Sequence, residues 1–185
     1  MFHSTTGKIF CGQMKQLELF GRNTQHYVWR KKGTAHQYQN LIPTVKYGGG
    51  SIMVWGCFAA SEPGQLAIID GKMNSQVYQD ILQENVRLFV RQLKLNISWV
   101  MQQDNDPKHR SKSTTEWLQQ KKISLLEWPS QSPDLNSNEM LWHDLKSAVH
   151  IRHPKNIAEM KQFCKEKWSK MSSDRCAGLI QKTFG

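Results

Sequence analysis

Asp104 and Glu139 are the residues of this 185-residue chain whose types and setting could do chemistry. Asp104 follows the apolar run Trp99-Val100-Met101 within Gln102-Gln103-Asp104-Asn105-Asp106-Pro107, where the proline and the Asn/Asp cluster stop a short strand and leave the carboxylate at its C-terminal edge. Glu139 opens a segment in which Leu141, Leu145, Ala148 and Val149 mark one helical face, so it falls in a first helical turn. Two acids converging on one sheet edge suit hydrolysis or transfer at a phosphodiester, where two metal ions about 3.5–4 Å apart clamp the attacking and leaving oxygens. Magnesium needs only a few carboxylates, because it keeps several waters. Each acid also has a plainer reading among the 15 Asp and Glu of the chain. Asp104 suits a turn, and Glu139 is a favourable charge at a helix N-terminus.

The elements that must position them begin with strands and turns. Lys8 to Cys11, Gln16 to Phe20 and Tyr27 to Trp29 read as extended. Gly48-Gly49-Gly50 runs into the apolar stretch Ile52 to Ala60, and a turn at Glu62-Pro63-Gly64 leads to Leu66 to Ile69, which predicts a hairpin. Phosphate-cradling glycine loops run into a helix N-terminus, whereas this one runs into a strand, so a turn is expected. Asn74 can cap a helix with Val77, Ile81, Leu82, Val86, Phe89, Val90 and Leu93 on its buried face. A helix over Lys112 to Lys122, a strand over Ile123 to Leu126, an irregular stretch from Trp128 to Asn136 and the Glu139 helix follow, with two further helices at about 157–171 and 175–182. Strands followed by alternating helices and strands predict an α/β fold, a mixed sheet with helices packed on it, in one domain.

Lys and Arg number 25 against 15 acids, a net charge of +10 that favours polyanionic partners. Arg30-Lys31-Lys32, Lys108-His109-Arg110 with Lys112, and Lys121-Lys122 can meet phosphates, though each reads equally well as a solvated face. Cys11, Cys57, Cys164 and Cys176 show no C-x-x-C pairing, which argues against a disulfide framework or structural zinc and for free thiols. The gaps between His143, His150 and His153 fit no familiar metal site, so surface positions are expected, and the seven tryptophans read as core. The longest apolar run, Ile52 to Ala60, is far short of the roughly 20 residues that span a bilayer. No apolar signal core follows the N-terminus, so an intracellular protein is the default.

Three groups of residues together raise the metal-site reading. Gln102-Gln103-Asp104-Asn105-Asp106-Pro107-Lys108-His109, then Trp128-Pro129-Ser130-Gln131-Ser132-Pro133-Asp134-Leu135-Asn136, then Glu139 with Leu141-Trp142 strongly resemble the catalytic domain of mariner-superfamily transposases, the Tc-type branch. Leu19-Phe20-Gly21-Arg22, Ile52 to Gly56 and Trp117-Leu118 are similar as well, and the resemblance runs from about Cys11 to about Ala177. It implies a ribonuclease H-like fold and an Asp-Asp-Glu triad that binds two Mg2+ (or Mn2+) ions for cut-and-paste DNA transposition and integration. It also implies DNA as partner, a possible homodimer, and the nucleus as the place of action. Asp104 and Glu139 carry over as the second and third acids, and the 34 residues between them match the family spacing. Asp106 reads as a turn residue.

The chain departs from this pattern at the first acid. Counting back from Leu19-Phe20-Gly21 places that Asp at position 13, where Gln13 stands. An amide offers one neutral carbonyl oxygen and cannot bridge two cations as a carboxylate does. Glu18, the nearest acid, is expected on the opposite strand face and about 16 Å further along. Ser137 and Asn138 stand where the family has Pro and an apolar residue before the Glu. The reading that follows divides the chain into 1–10, an atypical N-terminal segment, and 11–185, the transposase-type domain, with the helix-turn-helix region expected to be absent. Expected function is that of a transposase-derived endonuclease domain that has lost catalysis, with a non-catalytic nucleic-acid-binding scaffold or a relic of a transposable element as alternatives.

Overall fold

The computed structural model describes residues 8–11, 14–19, 50–95, 99–126 and 137–184. Gln13, the strand expected at Tyr27 to Trp29, the cluster Arg30-Lys31-Lys32 and the stretch Trp128 to Asn136 lie outside the described residues. The strands are β1 (Lys8–Cys11), β2 (Lys15–Glu18), β3 (Ser51–Ala59), β4 (Pro63–Ile69), β5 (Val100–Gln102) and β6 (Ser124–Leu125). The helices are α1 (Ser75–Ile81) and α2 (Arg87–Gln92), joined by a π-helical turn at Leu82–Val86, then α3 (Lys112–Gln120), α4 (Ser137–Ile151), α5 (Ile157–Ser169) and α6 (Ser173–Phe184).

β3 is apolar on both faces because both are covered. Ile52, Val54 and Phe58 share a core with Leu141, Trp142, Leu145 and Val149 of α4 and with buried residues of α5 and α6. Trp55, Cys57 and Ala59 share the other core with Tyr78 and Ile81 of α1, the π turn, α2 and α3. The result is three layers, with the sheet between α1–α3 and α4–α6. Gly56 is what lets Trp168 lie on the sheet, since a Cβ at that position would come within 2.7 Å of the indole. The Trp168 indole N–H then donates to the Gly64 carbonyl at 2.7 Å, and Trp142 stacks on it with ring centroids 5.4 Å apart. Trp55, Trp142 and Trp168 are thus core residues, as their size suggested.

Strand pairing sets the order of the sheet. Phe58 pairs with Phe10 of β1 and with Pro63 of β4, while Val54 pairs with Lys15 of β2 and with Ile68 of β4. β1 and β2 therefore lie end to end along one edge of β3, with β4 along the other. Cys11 stands opposite Cys57 and Lys15 opposite Val54. β5 runs parallel to β1, with Phe10 opposite Gln102, and β6 runs parallel to β5. β1 thus brings the sheet into the last residues of segment 1–10.

Local chemistry explains most boundaries. The Asn74 side chain accepts from the Val77 N–H at 2.9 Å and starts α1, as expected. Gly50 has φ +86 and its carbonyl accepts from the Leu19 N–H at 3.0 Å, closing β2 onto β3, so this glycine serves a turn into a strand. Two expectations need correction. The hairpin turn falls before Pro63, because Pro63 already pairs with Phe58 and begins an outer strand that needs no N–H from it. The helix after Asn74 contains a π turn at Leu82–Val86, where the Asn85 amide also donates to the Ile81 carbonyl at 2.9 Å.

Candidate functional site

Asp104 lies two residues beyond the end of β5, where the sequence places it. Its carboxylate Oδ1 is bonded to His109 Nδ1 and also accepts from the Asp106 N–H at 3.3 Å. The loop that carries it is tied at several points. Gln103 donates through Nε2 to the His109 carbonyl at 3.1 Å and accepts from the Tyr78 hydroxyl at 2.8 Å. The Tyr78 and His109 rings stack with centroids 3.9 Å apart. Thr114 donates to the Lys108 carbonyl at 3.1 Å, and Ser111 caps α3 by accepting from the Thr114 N–H. Asp106 is the turn residue it was read as: its carbonyl accepts from the His109 N–H and its side chain from the Lys108 N–H, both at 2.9 Å.

His109 requires a correction. Grouped with Lys108, Arg110 and Lys112 as a phosphate contact, it is instead 1% exposed, beneath the loop and against Tyr78. The alternation of a tight turn sends Lys108 and Arg110 outward and His109 inward. It positions Asp104 and does not face solvent. Its Nε2 has no hydrogen-bond partner among the described residues. Lys108, Arg110 and Lys112 are exposed beside it, with Lys108 3.8 Å from Asp106 and Lys112 3.9 Å from Glu116.

Glu139 stands in the first turn of α4, again as expected. Its Oε1 lies 2.6 Å from Lys15 Nζ of β2. Sequence reasoning passed over Lys15 because it searched that strand for acids. The available signal was strand alternation, which puts Lys15 on the same face as buried Leu17 and hence toward α4. Glu18 is exposed and lies on the strand face opposite Lys15 and Leu17. Both acids are therefore associated with one strand line: Asp104 follows β5, which pairs with β1, and Glu139 is joined to β2.

Both acids have a partner within the chain. Asp104 is engaged by His109, Glu139 by Lys15, and among the described residues no group of three His, Cys, Asp or Glu could hold an ion. The histidines of α4 and its C-terminal turn form no metal cluster either. His143 and His153 are exposed, but His150 is half-buried and its Nε2 has no partner among the described residues. Burial, then Lys146, then His153 hold its pKa below the ordinary 6.5. Protonation therefore favours the unfolded chain, and stability should fall as pH drops from about 6.5 toward the folded-state value. Urea midpoints at pH 7.5 and 5.5 should converge in His150→Gln; an undiminished difference would place the dependence elsewhere.

Cys57, Cys164 and Cys176 are buried free thiols, and burial pushes Cys164 up to about 12 and Cys176 up to about 11. They are inert packing groups rather than nucleophiles. Among the described residues no helix is long and apolar enough to cross a membrane.

Among the described residues, a mixed sheet with α1–α3 on one face and α4–α6 on the other, with Asp104 after β5 and Glu139 in the first turn of α4, is the ribonuclease H-like architecture of transposase catalytic domains. The Mos1 transposase paired-end complex with the left transposon end shares it, with a TM-score of 0.75 over 96% of this chain and 52% of that chain, at 15% identity. The Mos1 catalytic domain gives 0.71 over 97% and 78% at 14% identity, and structures of that domain exist with Mn and with Mg. Residues 18–161 match the family described as DDE superfamily endonuclease, and the chain belongs to it. The Tcb1 transposase of Caenorhabditis briggsae is 46% identical over 131 residues, 71% of this chain and 48% of the relative. The Tc1 transposase of Caenorhabditis elegans is 42% identical over the same length, 71% of this chain and 48% of the relative. The chain spans about half the length of these relatives.

Proposed function

We propose that this chain is a DNA-binding domain of the transposase type from which strand-cleaving chemistry has been lost. The observation that carries the loss is Gln13, an amide at the position where the resemblance puts the first of three acids. Two carboxylates and an amide bring one negative charge fewer to a pair of divalent ions, and the amide cannot bridge them. Binding is supported by the net charge of +10 and by the exposed Lys108, Arg110 and Lys112 next to the Asp104 loop. Such contacts act through phosphate charge and need no metal ion.

In this reading Asp104 and Glu139 are retained as the second and third acids, Arg30, Lys31 and Lys32 add phosphate contacts, and the site of action is nuclear DNA, with the homodimer of the family as the assembled form. The test is a fluorescence-anisotropy titration of a labelled DNA duplex with the purified chain, in chelator and at low salt. Saturable binding that weakens steeply with added salt is expected. No binding at low salt would contradict it and leave the chain as a relic without a DNA function.

A further inference from the structure

Glu139 is held by a cation that the chain itself supplies. Lys15 Nζ lies 2.6 Å from Glu139 Oε1, and the two side chains are 35% and 44% exposed. Packing sets up the contact: Leu17, on the same face of β2, is buried in one core with Leu141 and Leu145, so the strand lies beneath the start of α4. We infer that Lys15 is a tethered counter-ion that occupies the Glu139 carboxylate and keeps a divalent ion from it. The inference rests on Asp104 and Glu139 being the second and third acids of the family pattern. It adds a second obstacle, independent of Gln13: a carboxylate restored at position 13 alone leaves the ammonium in place.

Charge decides the size of the effect. A divalent ion about 4 Å from an ammonium meets a repulsion that, even screened as in bulk water, weakens binding on the order of 30-fold. A lysine this exposed can swing partly clear on its flexible stem, so removing it should gain roughly tenfold. The ion pair is exposed enough to add little to stability, so its removal leaves the fold intact.

The experiment is a manganese titration read by electron paramagnetic resonance of the free aquo ion, on the full chain carrying Gln13→Asp, Gln13→Asp with Lys15→Met, and Gln13→Asp with Lys15→Arg. Methionine keeps the apolar stem without the charge, and arginine keeps the charge. The methionine double variant should bind Mn2+ roughly tenfold more tightly than Gln13→Asp alone, with the arginine double variant staying at the level of Gln13→Asp. Equal affinity of Gln13→Asp and the methionine variant would overturn the inference, because the lysine would then yield freely to the metal. An equal gain with arginine would also overturn it, since the effect would not be one of charge. No binding by any of the three would overturn it together with the reading of the two acids.

Discussion

Replacing Lys108, Arg110 and Lys112 together by alanine is expected to weaken binding to duplex DNA about ten- to a hundredfold near 50 mM salt. The three side chains are exposed on the loop and helix start that follow Asp104. Each phosphate neutralised contributes about 0.9 to the slope of log affinity against log salt, so losing three should flatten that slope by about 2 to 3. Two of the three have an acid nearby, Asp106 at 3.8 Å and Glu116 at 3.9 Å, which offsets part of their charge. Those distances and exposures make the pairs weak, so the offset is partial. Arg110 has no ion pair among the described residues and should give the largest single loss. The check is anisotropy at several salt concentrations. An unchanged slope would show that the DNA lies on another face.

His109→Ala should lower the melting temperature by about 8 °C, corresponding to about 3 kcal/mol at roughly 2–4 °C per kcal/mol for a domain of this size. It removes the bond to Asp104, worth about 1.5–3 kcal/mol where one partner is charged. It also removes the ring stacked on Tyr78, worth about 0.5–1.5 kcal/mol beyond its buried area. Asp104 is 20% exposed and can recover some hydration, which keeps the total from being larger. His109→Phe should cost about half as much, because it keeps a ring stacked on Tyr78 and leaves no cavity beneath the loop. Differential scanning calorimetry separates the two variants. Equal losses would mean that the bond to Asp104 outweighs the ring.

Much of the fold was legible because single residues announce it. Asn74 starts α1 as a cap, the apolar run in β3 reports two covered faces, and Asp104 and Glu139 fall at the strand end and first helical turn to which their neighbours assign them. What escaped the sequence depends on contacts between distant segments. His109 looks like one more basic residue in a cationic run, and only Tyr78, supplied by α1, turns it into a buried clamp on Asp104. Lys15 looks like a strand-surface charge until β2 is placed beneath α4. The π turn is hidden because apolar residues at spacings of three and four suit an unbroken helix equally well. Pro63 suggested a turn, yet it serves equally as the first residue of an outer strand.

The proposal that strand cleavage has been lost is tested most directly by incubating supercoiled plasmid with the purified chain and Mn2+, alongside Asp104→Ala and Glu139→Ala controls. All three proteins should leave the plasmid supercoiled to the same extent. Nicked circles formed by the unsubstituted chain and abolished by both substitutions would contradict the loss, and would mean that Asp104 and Glu139 still work together despite Gln13 and Lys15.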